Sequence, residues 1–144
     1  MSRLRGMLTD PLLSVVMPVY NEASTIEEMV RRVLAVPVRT QLIVVDDCST
    51  DGTRDRLAAL QRELGFTLLL QPDNRGKGAA LRTGFASVRG DLVVIQDADL
   101  EYSPEEFPDL IELLDIPDGR CVFAIETDRE VRERAARVGG LFLD

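Results

Sequence analysis

The stretch Leu92-Val93-Val94-Ile95-Gln96-Asp97-Ala98-Asp99-Leu100-Glu101 decides the fold, because four consecutive apolar residues open directly into a row of acids. A short, unbroken apolar run after Gly90-Asp91 reads as a strand buried on both faces, the pattern of parallel sheets. The acids then fall at the carboxyl end of that strand, where open α/β sheets bind ligands. On an extended chain Asp97 and Asp99 point their carboxylates to one side, about 6–7 Å apart. One divalent cation can bridge them, or one carboxylate can hold the ion while the other orients a substrate hydroxyl. The small Ala98 between them lets a ligand approach the backbone. Taken alone, an Asp-x-Asp more often marks a solvated turn, so the rest of the chain has to decide.

Working outward, the same grammar repeats. Leu12-Leu13-Ser14-Val15-Val16-Met17 is a first strand, stopped by Pro18, and residues 1–11 before it read as a disordered lead-in. Ser24 and Glu27 form a capping box, and Ile26, Met29, Val30, Val33 and Leu34 recur on one helical face that ends before Pro37. Gln41 to Val45 is a second strand, again followed by acids in Asp46-Asp47-Cys48-Ser49-Thr50-Asp51-Gly52-Thr53. Asp51 suits the cap of the next helix, whose apolar side is Leu57, Leu60 and Leu64, closed by Gly65. Phe66 to Leu70 is a third strand. Asn74-Arg75-Gly76-Lys77-Gly78 is a loop before a third helix marked by Leu81, Gly84, Phe85 and Val88.

Strand and helix thus alternate with short links, which predicts right-handed crossovers and a mainly parallel sheet in a three-layer α/β/α arrangement. Further on, Ser103-Pro104-Glu105-Glu106 is a strong helix start, with Phe107, Leu110, Ile111 and Leu114 at helical spacing and Pro108 as a kink. Val122 to Ile125 reads as a fifth strand, and Thr127 with Glu130 starts a last helix carrying Val131, Ala135 and Val138. At 144 residues, positions 12–144 form one domain.

Composition narrows the partners. A formal charge of -8 with no histidine argues against a nucleic-acid backbone, since phosphate neutralisation needs a basic patch. A phosphorylated small molecule stays compatible if a metal supplies positive charge. Cys48 and Cys121 lie far apart and form no ligand spacing, so neither a disulfide framework nor a zinc site is indicated. No apolar run approaches the roughly 20 residues of a membrane-spanning helix and no signal-peptide core precedes the first strand. The cysteine usage makes a cytoplasmic location the expectation, with Arg3 and Arg5 able to touch an anionic membrane surface.

Three successive strand ends therefore carry Pro-x-Tyr-Asn-Glu, Asp-Asp-Cys-Ser-x-Asp-Gly and Asp-Ala-Asp, and topology gathers such ends at one rim. In this order and spacing they resemble glycosyltransferase family 2, inverting enzymes with the nucleotide-sugar-binding fold called GT-A. Asn74-Arg75-Gly76-Lys77-Gly78-Ala79-Ala80 and Asp97-Ala98-Asp99-Leu100-Glu101-Tyr102 look most like the dolichol-phosphate mannosyltransferase and polyprenyl-phosphate glycosyltransferase branch. The resemblance covers about residues 12–115.

That resemblance implies a donor site. Pro18, Tyr20 and Glu22 would line the nucleoside pocket, with an aromatic face for the base and a carboxylate for ribose hydroxyls. Asp47, together with Asp46, would accept a hydrogen bond from the base. Asp97 and Asp99, with Ala98 between them and Glu101 as a further ligand, would hold Mg2+ or Mn2+ against the diphosphate. Lys77, the only lysine in the chain, would reach a phosphate. The sequence departs from the branch after the metal motif: Val122-Phe123-Ala124-Ile125-Glu126-Thr127 stands where a Gly-Ser-Arg-like segment is usual, and no base motif follows. Glu126 and Asp128 are the nearest acids. The branch also implies a longer catalytic domain, so a truncated form of the fold is expected.

The reading is an inverting transferase that passes sugar from a nucleotide-diphosphate sugar to a polyprenyl phosphate or saccharide hydroxyl, working at the inner face of the membrane. Its rival is a nucleotide-sugar-binding module without turnover, and a homodimer through a sheet edge near residues 121–144 would complete the acceptor side. A nucleotidyltransferase also uses strand-end acids and a metal, but Tyr20-Asn21-Glu22 occupies the turn where its glycine-rich loop would stand.

Overall fold

The sheet is built by strict alternation. In β1 (Leu12–Val19), Leu13, Val15, Met17 and Val19 pack on one face while Val16 packs on the other, the two-residue period of a strand. β2 (Arg39–Asp46) splits Leu42 and Val44 from Ile43 and Val45 in the same way, and β4 (Leu92–Ile95) splits Leu92 and Val94 from Val93 and Ile95. All are buried, which is why the apolar runs are unbroken. One face receives α1 (Ile26–Ala35) and α2 (Thr53–Leu64) through Ile26, Met29, Val30, Val33, Leu57 and Leu60. The other receives α3 (Lys77–Phe85) through Ala80 and Leu81. These are the three expected layers.

The computed structural model describes residues 12–100, 103–108, 121–125 and 141–143. Within them β3 (Thr67–Leu70), β5 (Cys121–Ile125) and β6 (Leu141–Leu143) complete a sheet of order β3-β2-β1-β4-β5-β6. Every neighbouring pair is parallel. The chain steps outward from β1 to β3, then crosses on the α3 face and lays β4 on the far side of β1. Strand order reverses there, so the crevice between the carboxyl ends of β1 and β4 is the natural ligand site.

Pro18 sharpens that crevice. Contrary to the expectation that it stops β1, the strand continues to Val19, and Pro18 sits in register with Val45 of β2. Gln96 N–H donates to Val16 O at 3.0 Å on the β4 side, and Asp47 N–H donates to Val19 O at 2.9 Å on the β2 side. Alternation therefore turns the nitrogen of Pro18 toward β4, beyond the last ladder bond, where a missing N–H costs nothing.

Below the sheet a buried polar knot fixes how β4 enters. Ser14 Oγ donates to Gln41 Oε1 at 2.6 Å, and Gln41 Nε2 donates to Ser87 O at 2.9 Å. The backbone N–H of Arg89 donates to Gln41 Oε1 at 2.9 Å and that of Gly90 to Ser14 Oγ at 2.8 Å. The knot sets the register that delivers Asp97 to the rim.

One local expectation is corrected and another is met. The residue before α1 is Thr25, not Ser24, and it makes no side-chain cap; the Ser24 and Glu27 box is not formed, and Glu27 instead pairs with Arg31 at 3.3 Å. The helix start expected after Ser103 is present, opening as a 3-10 turn at Pro104–Glu106 that passes into α-helical Phe107 and Pro108, with Phe107 buried in the α1–α2 core. The expected continuation through Leu114, the helix from Thr127, the lead-in over 1–11, and Glu101 lie outside the described residues. β6 is the outermost described strand on its side of the sheet, next to β5.

Two outcomes test this packing. A Cβ on Gly84 would lie 2.6 Å from Val16 Cγ1 and 3.2 Å from Val45 Cγ2, so α3 sits as close to the sheet as glycine allows. Gly84→Ala should lower stability in urea unfolding by about 1–3 kcal/mol, the cost of overpacking, although Ala favours a helix; a stabilised variant would contradict the close approach. The 3-10 turn is tied to α1 by two Arg32–Glu105 hydrogen bonds of 2.8 Å each. Hydrogen bonding from Arg32 brings the Glu105 carboxyl down to about 2. A depressed carboxyl contributes fully above its unfolded value of about 4.3 and loses that contribution as pH falls toward the folded value. The stability difference between wild type and Glu105→Gln should therefore shrink between pH 4 and pH 2.

Candidate functional site

The strand ends converge on one open cavity of about 240 Å³ at the β1–β4 crevice. Pro18, Tyr20 and Glu22 reach it from β1, Asp47 from β2, and Asp97, Ala98 and Asp99 from β4, with Lys77 at the first turn of α3. Of the residues expected from sequence, Asp46 does not line it. Val19 and Ala80, not expected, do.

Asp46 and Asp47 part because a strand alternates. Asp46 has the parity of Leu42 and Val44 and faces α2, where Arg54 Nε donates to its Oδ2 and Arg54 Nη2 reaches Gln71 O. Ser49 adds its N–H at 3.1 Å and its hydroxyl at 2.6 Å to the same carboxylate. Asp46 is fully buried and fully employed in holding the loop. Asp47 has the parity of Ile43 and Val45 and faces α3, and its two oxygens accept the N–H groups of Arg75 at 2.9 Å and Gly76 at 2.8 Å. Gly76 holds φ +94°, a conformation that leaves its N–H aimed at Asp47 and that a side chain would strain.

The rest of this segment is a cradle for the neighbouring loop. Ser49 Oγ accepts the N–H of Asn21 at 2.9 Å, Thr53 Oγ1 that of Glu22 at 3.1 Å, and Asp51 Oδ2 that of Ala23 at 3.2 Å. Asn21 Oδ1 returns a bond by accepting Thr50 N–H at 2.8 Å. Asp51 Oδ1 also takes the N–H of Thr53 at 3.1 Å from just outside α2; the N-cap itself is Gly52, without a side-chain cap bond, so the cap expected of Asp51 falls one residue later. The Thr53 hydroxyl bond, ahead of the backbone bonds, lowers the Asp51 carboxyl. Asn21 and Cys48, each two residues past a strand end, have positive φ of 53° and 63°. Ser49, Thr53 and Arg54 are the supporting residues that motif reading did not assign, and the period-two parity of Asp46 against Asp47 is the sequence signal that separates the two roles.

The β4 loop is held from α1. Thr25 Oγ1 donates to Ala98 O at 2.6 Å, which is the use that displaces a local cap. Residues 98–100 bend instead of extending, Leu100 has φ 65°, Ala98 is buried and Asp99 is exposed. The extended geometry expected for Asp97 and Asp99 is thus replaced by a bend. Lys77 Nζ lies 2.8 Å from Asp97 Oδ1. Among the described residues no three His, Cys, Asp or Glu side chains come together. Two carboxylates at the cavity fit a hard divalent cation whose oxygen shell is completed by a ligand and water, the usual mode for Mg2+. No described helix is long and apolar enough to cross a membrane.

Comparison with known proteins gives this site a lineage. An undecaprenyl-phosphate 4-deoxy-4-formamido-L-arabinose transferase of Sodalis glossinidius is 36% identical over 135 residues, 88% of this chain and 41% of that protein. Our chain thus spans about two fifths of that relative's length. The mannosyltransferase PcManGT of Pyrobaculum calidifontis, solved with GDP-Man and Mn2+, superposes with a TM-score of 0.59 at 35% identity, covering 67% of this chain and 30% of that one. Glucosyl-3-phosphoglycerate synthase of Mycobacterium tuberculosis, solved with UDP, gives 0.60 at 33% identity over 76% of this chain and 42% of that one. The sequence pattern described as Glycosyl transferase family 2 matches residues 14–137. With the α/β sheet of the GT-A type beneath that match, the chain belongs to glycosyltransferase family 2.

Proposed function

We propose that this chain forms the donor-binding part of an inverting glycosyltransferase that takes a nucleoside diphosphosugar with Mg2+ or Mn2+ and passes the sugar to a polyprenyl phosphate or a saccharide hydroxyl. The observation that carries the reading is convergence: an exposed aromatic ring, four carboxylates from three strand ends and one ammonium share a single cavity at the switch point. The relatives' acceptor lipid and the nucleotides and Mn2+ in the solved complexes support it. A polyprenyl phosphate acceptor would bring the protein to a membrane surface.

Each residue has a task in that reading. The half-exposed Tyr20 ring offers a face to the base, and Glu22 accepts from ribose hydroxyls. Asp47 spends one lone pair on each oxygen to hold residues 75 and 76 and keeps others for a base N–H. Asp97 and Asp99 hold the cation, and Lys77 adds positive charge beside them. The bound cation would neutralise the diphosphate as it leaves. In transfer, an acceptor oxygen attacks the anomeric carbon from the face opposite the diphosphate, and the broken C–O bond leaves its electron pair on the diphosphate. A phosphate acceptor needs little deprotonation, whereas a sugar hydroxyl needs a base within hydrogen-bond reach.

A second reading, donor binding without turnover by this chain alone, has one observation in its favour. Among the described residues every carboxylate lining the cavity already has a donor-side task, and Glu126 and Asp128 lie outside them.

Calorimetry tests the donor assignment. Wild-type affinity for GDP or UDP should rise at least about tenfold, or about 1.4 kcal/mol, from chelator to Mn2+, and Asp99→Asn should remove that gain. Equal affinity in chelator and Mn2+ would sink the metal assignment. In the same samples, labelled sugar passed to a polyprenyl phosphate would reject the second reading.

A further inference from the structure

Lys77 and a bound cation both have a claim on Asp97. The ammonium lies 2.8 Å from Asp97 Oδ1, and the pair is partly shielded, with the two side chains 32% and 15% exposed. A divalent ion on the same carboxylate would sit about 2 Å from oxygen, which places two cations within a few ångströms of each other. They repel unless further negative charge arrives between them. A nucleoside diphosphate brings that charge, and the four-carbon stem of Lys77 lets its ammonium turn from the carboxylate to a phosphate oxygen without moving α3. The base of that stem is fixed, because Asp47 pins the backbone of Arg75 and Gly76 directly before it. No second lysine exists in the chain to substitute for it.

We propose that Lys77 is an exchanging counter-ion. It occupies Asp97 while the pocket is without donor, opposes binding of the metal alone, and shifts to the diphosphate when nucleotide and metal enter together. The proposal rests on the donor-binding reading and adds an order to it, in which metal and nucleotide load as a pair. The ammonium also keeps the Asp97 carboxylate neutralised in the interim, in a protein whose net charge is -8.

The test uses the full chain as wild type, Lys77→Met and Lys77→Arg, with thermal unfolding to verify that each variant folds. Mn2+ is titrated without nucleotide and followed by electron paramagnetic resonance of the free ion. GDP and UDP are then titrated calorimetrically in Mn2+ and in chelator. Lys77→Met should bind Mn2+ alone several-fold more tightly than wild type and bind the nucleoside diphosphate in Mn2+ at least fivefold more weakly. Lys77→Arg should stay near wild type on both. A side chain with only a structural role would weaken both or neither. If wild type binds a diphosphate and Lys77→Met binds Mn2+ alone no more tightly, the exchange is wrong and the donor reading stands. If wild type binds neither diphosphate, the donor reading fails and the exchange fails with it.

Discussion

Loops at strand ends must place side chains accurately while their own backbone groups lie outside any ladder, and here that problem is solved by side-chain acceptors. Residues 46–53 take the N–H groups of Asn21, Glu22 and Ala23 on one side, while Asp47 takes those of Arg75 and Gly76 on the other. A single such bond contributes only about 0.5–1.5 kcal/mol net, so the geometry rests on the set of bonds acting together. Asp46 anchors the whole arrangement, since its buried carboxylate holds Ser49, and Ser49 in turn holds Asn21.

Organising the pocket before a ligand arrives has a functional consequence. Ordering loops on binding would subtract from affinity, and hydrogen bonds already made within the loops avert part of that loss. Rigidity is not uniform across the site. Tyr20 and Asp99 are exposed and Lys77 has a flexible stem, so these cavity-lining side chains can adjust while the backbone beneath them is held. The same segment thus serves two neighbours, and a change at Asp47 would reach the proposed base contact and the Lys77 position together.

Much of this was legible in the residues. The run Leu92–Ile95 and the helical face of Ile26, Met29, Val30 and Val33 gave strand, helix and layer order through periodicity, because burial on both sides of a parallel sheet leaves no other pattern. The motifs at three strand ends gather at one rim, where the cavity lies. Asp46 was grouped with Asp47 because adjacency in sequence hides that successive strand residues face opposite layers. The cap of α1 was misplaced because Thr25 and Glu28 repeat the spacing of Ser24 and Glu27, and a tertiary bond from Thr25 to Ala98 O decided the matter. The bend at residues 98–100 also depends on that long-range contact, which no local pattern encodes.

The central claim is that residues 46–53 hold the neighbouring loops in place before any donor binds. Amide hydrogen exchange of the ligand-free chain, followed by NMR, measures this directly. The account predicts that the amides of Asn21, Glu22, Ala23, Arg75 and Gly76 are protected well beyond the rates of an unstructured peptide, that Ser49→Ala exposes Asn21, and that the amides of β1 keep their protection. Exchange of those five amides at unstructured rates in the wild type, with slowing only after nucleotide and Mn2+ are added, would contradict it.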